Sequence, residues 1–397
     1  MCYNFNDKNF YIGSFMKELN EQILKYIDST KEEYLNLHRE LAVIPAPSGM
    51  EDKRVEFIKS WFEKAGAKQV IVDDAKNVLV PIGCDNKDNI IVFMAHTDVV
   101  FPDLTNLPLT EDDEYFYCPG IGDDTSCLIL LMMVAKYVIQ NNLSSDYGIL
   151  FVANSCEEGL GNLKGIRQIM KDYANRVETV YTFDGSYVNL VNRSVGSHRY
   201  EITFKTEGGH SFSSFGNRNA IVAMSELICN LYKCEVPKKD DTKTTYNVGI
   251  VEGGTSVNTI CQSAKMLFEY RSNDKECLEF MQNYFNEQIE LAKKSGKAEI
   301  EVTLVGDRPC GGNLDMDKLN QITNEVVAIC KKHSGLDCKI GMASTDANIP
   351  HSLGITAVCV GSHISKGSHT REEKLLKSSL PIGFKITAEI ILNYFND

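Results

Sequence analysis

Acidic and histidine side chains recur where the apolar runs of this chain end. Glu157 and Glu158 follow one apolar run, His96 and Asp98 follow another, and Asp184 ends a third. In an adjacent acidic pair, one carboxylate can bind a metal ion while its neighbour, turned away, accepts a proton. Histidines and carboxylates at the ends of several strands are also what a hydrolytic metal site in an open α/β sheet requires. The pattern therefore predicts such a site.

Neighbouring residues of each motif are predicted to have separate roles. Glu158 would bind metal, whereas Glu157 would take a proton from the attacking water and pass it to the leaving nitrogen. His96 is a predicted ligand, and Asp98 would orient its ring by hydrogen bonding. His369, in a Ser/Gly/His-rich loop after the last predicted strand, is a further candidate ligand.

The Gly-rich turn at 120–124 adds a second acidic pair, Asp123 and Asp124. An acidic residue just ahead of a helix is typical of an N-cap, which suits one of the two. The other is suited to bridge two metal ions, because a carboxylate has two oxygens and compensates both charges.

Each motif has an ordinary structural interpretation when it stands alone. A single His-x-Asp motif is more often a turn or a satisfied polar pair than a metal site. Cys156, beside the glutamate pair, is a candidate nucleophile, but no histidine lies near it in the sequence, which favours a small packed residue. Five ligand-type residues at strand ends are much harder to explain by coincidence, and together they favour the metal site.

The composition narrows the class of protein. A chain of 397 residues exceeds what one hydrophobic core usually serves, which predicts two domains. The net charge of −13 argues against nucleic acid as a partner. Thirteen cysteines without a Cys-x-x-Cys pair indicate reduced thiols in a cytoplasmic protein. Residues 1–11 lack the apolar core of a signal peptide, and the apolar stretch 127–139 is too short to span a bilayer.

Helices and strands alternate in both outer segments of the chain. Apolar spacing predicts a first helix over 14–44 and a closing helix near 373–394. The other predicted elements are strands 69–72, 78–82, 90–95, 148–153, 179–183 and 356–360, and helices 51–65, 125–140, 163–173 and 316–334. This alternation is typical of an α/β domain with a mostly parallel sheet.

The pattern changes near residue 195. The order becomes β-α-β-β-α-β, formed by strands 199–206, 246–251, 265–270 and 299–305 and helices 218–233 and 275–294. We therefore predict a catalytic domain, residues 1–194 and 308–397, that is interrupted by an inserted domain, residues 195–307.

In order and spacing, these motifs resemble the M20 metallopeptidase pattern from about residue 30 to 395. In the outer segments the resemblance rests on His96-Thr97-Asp98, Gly122-Asp123-Asp124, Glu157-Glu158-Gly159, Asp184-Gly185 and His369. In the inserted segment it rests on Gly208-Gly209-His210-Ser211, Asn219-Ala220-Ile221, residues 253–258 and Arg271. The chain departs from the pattern at Thr125 and Ser126, where the family often has Lys and Gly, and at Ser344, where Gly is usual.

The resemblance implies a zinc-exopeptidase-like catalytic domain that holds two divalent cations, zinc or else cobalt or manganese. By that resemblance, His96 and Asp184 would hold one ion, Glu158 and His369 the other, and Asp123 would bridge them. Glu157 would be the general base, and Asp98 would orient His96.

For the inserted domain, the resemblance implies a ferredoxin-like lid through which the protein forms a homodimer. His210 would reach the active site of the partner subunit and polarise the scissile carbonyl. Asn258 and Arg271 would hold the carboxylate or the backbone of the substrate.

The substrate predicted from these features is a short peptide. An aspartate at position 184 resembles the tripeptidase and dipeptidase branch, and residues 181–185 with Asp123-Asp124 resemble the peptidase T group. This favours removal of the N-terminal residue. A deacylase or carboxypeptidase acting on N-acyl amino acids is an alternative, and a deacylase would require a blocked amino group. A non-catalytic binding protein on the same fold is more remote, because Glu157 and all five presumed ligands are present.

Overall fold

The computed structural model describes residues 17–396, in which helices pack on an eight-stranded sheet (the larger sheet) and on the four-stranded sheet of the inserted segment (the smaller sheet). A second four-stranded sheet and a two-stranded sheet are also present. The helices are α1 Glu21–Ser29, α2 Lys31–Leu41, α3 Asp52–Ala65, α4 Cys127–Gln140, α5 Lys164–Tyr173, α6 Ala220–Leu231, α7 Lys275–Lys294, α8 Met316–Ser334, α9 Asn348–Ser352 and α10 Leu380–Leu392. Short 3-10 turns cover Cys84–Asn86 and Lys377–Ser379.

The strands alternate with these helices along most of the chain. They are β1 Ile71–Val72, β2 Val78–Ile82, β3 Ile90–His96, β4 Thr110–Glu111, β5 Tyr115–Tyr117, β6 Gly148–Asn154, β7 Val177–Phe183, β8 Asn189–Ser194, β9 Gly196–Lys205, β10 Gly209–His210, β11 Thr244–Gly253, β12 Thr259–Ile260, β13 Ser263–Ser272, β14 Glu299–Arg308, β15 Lys339–Ala343, β16 Thr356–Val360, β17 Ser365–Lys366 and β18 Lys374–Leu376.

The larger sheet has the order β1-β2-β6-β3-β7-β16-β8-β15. The neighbours β6, β3, β7 and β16 run parallel, as do β8 and β15, while the remaining pairs are antiparallel. Every residue of β3, β6 and β16 is buried, because helices cover both faces of the sheet. The prediction of a mixed, mostly parallel α/β sheet is confirmed.

Alternation along β3 shows how the two faces are filled. Ile91, Phe93 and Ala95 pack on the face that carries α1 to α4, α8 and α10. Val92 and Met94 pack on the opposite face, against α5 and α9. Since side chains alternate with period two, one strand supplies both cores.

The smaller sheet is formed by the inserted segment, in the order β11-β13-β9-β14, with every pair antiparallel. α6 and α7 cover one face, where Tyr200, Ile202 and Phe204 of β9 are buried. Strands β10 and β12 pair beside this sheet. The β-α-β-β-α-β lid prediction agrees with this arrangement, while the boundaries at 195 and 307 stay a prediction.

Two predicted helices are wrong in extent. The helix expected over 14–44 divides at Thr30 into α1 and α2 and ends at Leu41, and residues 14–16 lie outside the described part. The closing helix begins at Leu380, not near 373, because residues 374–376 pair with β5 and Pro381 suits a first helical turn. The prediction made for residues 1–11 also lies outside the described residues.

Strands β8 and β15 were missed. Both are short, and they pair with each other at one edge of the larger sheet. Their sequences lack a long apolar run, and β15 is mostly exposed. They become strands because they pair with each other although more than 140 residues separate them in the chain. No local sequence pattern indicates such a pairing.

Candidate active site

The predicted site residues lie together where the parallel strands of the larger sheet have their carboxyl ends. His96 is the last residue of β3 and lies beside Asn154, the last residue of β6. Glu157 follows β6 after a short turn, and Asp184 directly follows β7. In open α/β sheets this edge is where ligands bind.

Two groups of possible metal ligands share Asp123. His96, Asp123 and Asp184 form one group, and Asp123, Glu158 and His369 form the other, with the ligand atoms of each group within 4.8 Å of one another. The imidazole Nε2 of His96 lies 3.3 Å from Asp123 Oδ1, and Nε2 of His369 lies 3.1 Å from Asp123 Oδ2. The structure thus brings together all five predicted ligands.

The charge of this cluster suits divalent cations. Burial, followed by the charge of Asp123, raises the pKa of Asp184 to about 7. Nε2 of His96 is buried and makes no hydrogen bond within the described part of the chain. Buried carboxylates without enough counter-charge are costly unless cations or protons neutralise them. Imidazole and carboxylate donors in this arrangement fit two such ions.

Glu157 lies beside these groups in a buried position. It also forms a ligand-type cluster with His96 and Glu158. Burial raises its pKa well above the ordinary value, and the charge of Arg308 opposes that shift. Nη1 of Arg308 lies 3.4 Å from Glu157 Oε1, and Nη2 donates to the backbone carbonyl of Glu157. A carboxylate that favours the protonated form is suited to accept a proton during a reaction.

Asp98 holds the glutamate turn in place. Its carboxylate accepts hydrogen bonds from the backbone N–H groups of Glu157 at 3.0 Å and Glu158 at 2.9 Å, and from Ser48 Oγ at 2.5 Å. Nδ1 of His96 lies closer to the backbone oxygen of Asp98, at 3.0 Å, than to its carboxylate, at 3.5 Å. Asp98 therefore contacts His96 mainly through its backbone.

The turn that carries Asp123 is held by Glu373. The buried carboxylate of Glu373 accepts backbone hydrogen bonds from Gly120 at 2.6 Å, and from Gly122 and Asp123 at 3.0 Å. The peptide bond between Asp123 and Asp124 is cis. Asp124 accepts the backbone N–H of His96 at 3.1 Å, and α4 begins without a side-chain cap. Neither acid caps that helix.

Three residues of the site were not recognised from the sequence: Ser48, Arg308 and Glu373. Arg308 contacts Glu157 and Glu373 contacts Asp123, and in each pair the two residues are more than 150 positions apart in the sequence. No local spacing therefore indicates that either residue belongs to the site. Cys156 is buried, and burial raises the pKa of its thiol to about 12. A protonated thiol is a poor nucleophile, which agrees with the packing interpretation.

The lid residues divide into two sets. Arg271 lines a cleft of about 880 Å³ that also contains Asp123, Glu157 and Asp184. Its Nε donates to Glu269 at 3.0 Å. His210 in β10 and Asn258, just before the paired strand β12, are exposed instead and lie outside the lining of this cleft.

The chain was compared with known proteins. Its residues 92–393 match the model of peptidase family M20/M25/M40. An uncharacterised protein of Bacillus subtilis, YqjE, is 24% identical over 310 residues, which are 76% of this chain and 80% of YqjE. An acetylornithine deacetylase of Aliivibrio salmonicida is 22% identical, over 77% of this chain and 83% of the enzyme.

A solved structure is similar to this chain in its overall fold. It is the aminopeptidase PepT of Bacillus cereus, which superposes with a TM-score of 0.70 at 21% identity, over 92% of this chain and 98% of PepT. Among residues 17–396, no helix is both long and apolar enough to cross a bilayer. Because the family model spans most of the sequence, this chain belongs to peptidase family M20/M25/M40 and is a hydrolase of the metallopeptidase type.

Proposed function

We propose that this chain removes the N-terminal residue from short peptides, as a tripeptidase or aminopeptidase does. The observation that carries the proposal is the pair of ligand groups sharing Asp123, with Glu157 beside them, in a cleft that Arg271 of the lid sheet also lines. The resemblance of Asp184 and its flanking residues to the tripeptidase branch supports the same substrate, and PepT has the same fold.

The polarity of the cleft agrees with a peptide that has both ends free. The catalytic part of the chain lines the cleft with the carboxylates of Asp123, Glu157 and Asp184, and the lid sheet lines it with Arg271. A free peptide carries a positive amino group and a negative carboxylate at pH 7. Electrostatic attraction therefore favours an orientation with the amino group near these carboxylates and the peptide carboxylate near Arg271.

The residues of the site would divide the reaction among them. His96 and Asp184 would hold one divalent cation, Glu158 and His369 the other, with Asp123 between them. Bound there, zinc, cobalt or manganese ions would supply Lewis acidity to the scissile carbonyl and to the attacking water.

Proton transfer would fall to Glu157. It would accept a proton from the attacking water and deliver it to the leaving nitrogen. Asp98 keeps the backbone of Glu157 and Glu158 in position through its two hydrogen bonds. Exclusion of bulk water by a closed lid would strengthen these interactions.

A homodimer would complete the site. β11 is an edge strand of the lid sheet, and Ile250 and Val251 on it are about half exposed. Val222 on the adjacent α6 is exposed as well. Exposed apolar side chains on a free strand edge are typical of an interface. In such a dimer, His210 of one subunit would polarise the scissile carbonyl in the other, with Asn258 holding the substrate.

The deciding experiment compares metal-loaded, chelated and reloaded protein on two sets of substrates. One set contains free-amine dipeptides and tripeptides, and the other contains the same residues N-acylated. We expect metal-dependent cleavage of the free-amine set alone. Cleavage of the acylated set alone would contradict the proposal and favour a deacylase, which the likeness to acetylornithine deacetylase makes the second candidate.

A further inference from the structure

Three basic side chains gather on the face of the lid sheet that its helices leave uncovered. Tyr200 of β9 and Tyr270 of β13 point towards α7, where both rings contact Phe285. Side chains alternate along a strand, so Arg199 and Arg271, each next to one of these tyrosines, point to the opposite face. Both line the cleft that contains the ligand groups.

Lys243 lies just before β11, the strand that pairs with β13. Thr245 of β11 lies opposite Arg271 in the antiparallel register. Lys243 directly precedes the first residue of β11, and both Lys243 and Thr245 line the cleft. Lys243 is exposed.

These three cations exceed the negative charge beside them. The carboxylate of Glu269 forms ion pairs with Nε of Arg199 at 3.1 Å and with Nε of Arg271 at 3.0 Å. The ammonium group of Lys243 has no ion-pair or hydrogen-bond partner in the described structure. Arg308, which also lines the cleft, is paired with Glu157 and so adds no net charge. Arg199, Arg271 and Lys243 beside the single carboxylate of Glu269 then leave a surplus of two positive charges at this wall.

Farther from the cleft, the lysines of the same sheet face are paired. Lys205 lies 2.8 Å from Glu301, and Lys265 lies 3.5 Å from Glu201 and 3.4 Å from Glu252. The surplus is therefore confined to the part of the sheet that faces the ligand groups, in a chain whose net charge is −13. Such a local surplus next to a cavity is suited to bind an anion.

We propose that Lys243, together with Arg271 and Arg199, forms a receptor for two carboxylates, so that the preferred substrates are short peptides ending in Asp or Glu. This rests on the proposed peptidase function. Arg271 binds the terminal carboxylate, and Lys243, whose ammonium is free, binds the carboxylate of the last side chain. Arg199 is a positioning residue, since it also donates to the carbonyl of Gly159 at 2.5 Å and so links this wall to the glutamate turn.

The test uses the peptides Ala-Ala-Glu and Ala-Ala-Gln, which have nearly the same shape and differ by one charge. We expect the metal-loaded enzyme to show a kcat/KM about tenfold higher for Ala-Ala-Glu, as one charge-assisted contact provides. Lys243→Met should remove most of this preference. Lys294→Met, which makes the same change at an exposed end of α7, should keep it.

Charge reversal provides a result that misfolding cannot mimic. Lys243→Glu should prefer Ala-Ala-Lys to Ala-Ala-Glu, the inverse of the wild-type order. Equal kcat/KM values for Ala-Ala-Glu and Ala-Ala-Gln in the wild type, or a preference that survives in Lys243→Met, would overturn the receptor.

A binding measurement separates this inference from the proposed function. Calorimetry with metal-loaded Glu157→Ala protein measures the affinity of both peptides without turnover. If the wild type cleaves no free-amine peptide, the proposed function is wrong. The ratio of these two affinities still tests whether Lys243 and Arg271 bind two carboxylates. Tighter binding of Ala-Ala-Glu supports it, and equal or no binding of both peptides refutes it.

Discussion

Arg308, the last residue of the lid sheet, contacts Glu157, the proposed general base, across 151 residues of sequence. Its guanidinium is buried, lies 3.4 Å from Glu157 Oε1, and also donates to Ser344 Oγ at 3.3 Å. The chain returns from the lid to the larger sheet at this residue. Any movement of the lid would therefore be transmitted directly to the carboxylate that moves the proton.

Replacement of Arg308 tests this relationship. Arg308→Met should lower kcat about 10–100-fold with metal content and KM near normal, because the base loses a contact that orients it. Steady-state kinetics and metal analysis measure both. Arg167→Met is the matched control, since Arg167 donates to the carbonyl of Asp307 at the same junction. An equal loss of kcat in both variants would mean that packing at the junction matters and the contact with Glu157 does not.

Glu157 should be needed for turnover and dispensable for metal binding. Glu157→Ala is expected to lower kcat by at least ~10³-fold, since general-base catalysis contributes about that much. Metal analysis should return the wild-type content, because the two ligand groups that share Asp123 do not include Glu157. Normal turnover in this variant would refute its assignment as the base.

The bridging position of Asp123 predicts an unequal loss of metal. Asp123→Ala should reduce binding at both positions, whereas His369→Ala should remove one ion, because His369 belongs to one ligand group only. Elemental analysis after dialysis gives the stoichiometry directly. Two retained ions in Asp123→Ala would exclude the bridge.

Sharing of the site across a dimer is testable by mixing variants. His210→Ala should lose activity while its circular dichroism and thermal unfolding remain normal, because His210 is exposed. When this variant is mixed with Glu157→Ala, each hybrid dimer should contain one intact site and one inactive site. At equal amounts about half of the dimers are hybrids, so the mixture should recover up to about a quarter of the wild-type activity. No recovery after verified subunit exchange would count against a shared site.

Buried neutral histidines predict loss of stability in acid. His38 is fully buried between the carbonyl of Tyr34, at 2.6 Å, and Ser126 Oγ, and burial lowers its pKa to about 4. The unfolded histidine titrates near 6.5, so as pH falls from about 6.5 to about 4 only the unfolded chain binds the proton. The free energy of unfolding should fall by about 3 kcal/mol from this residue, with no further change below pH 4.

Urea unfolding of metal-free protein at pH 7 and at pH 4.5 measures this effect. The free energy of unfolding should differ between the two pH values by about 2 kcal/mol less in His38→Asn than in the wild type. The exposed His210→Asn should retain the wild-type difference. The same pH dependence in all three proteins would show that His38 does not contribute.

The sequence by itself determined the candidate ligands of the site, because their signal is local. Buried strands such as β3 and β6 appear as continuous apolar runs, and parallel strands must end at one edge of a sheet. The residues that follow such runs, including His96, Glu158 and Asp184, are therefore brought together whatever the details of packing. The β-α-β-β-α-β order of the lid was predictable for the same reason.

The tertiary structure alone decided how that site is supported and how it meets substrate. Arg308 and Glu373 reach the site through contacts between segments far apart in sequence. The carboxylate of Asp98 turned out to hold the backbone of Glu157 and Glu158, with His96 bound through a carbonyl. Lys243 is an ordinary lysine in the sequence, and it becomes a candidate substrate contact only because the pairing of β11 with β13 brings it to the cleft that Arg271 also lines. Such contacts depend on which elements pack together, and no local spacing encodes that.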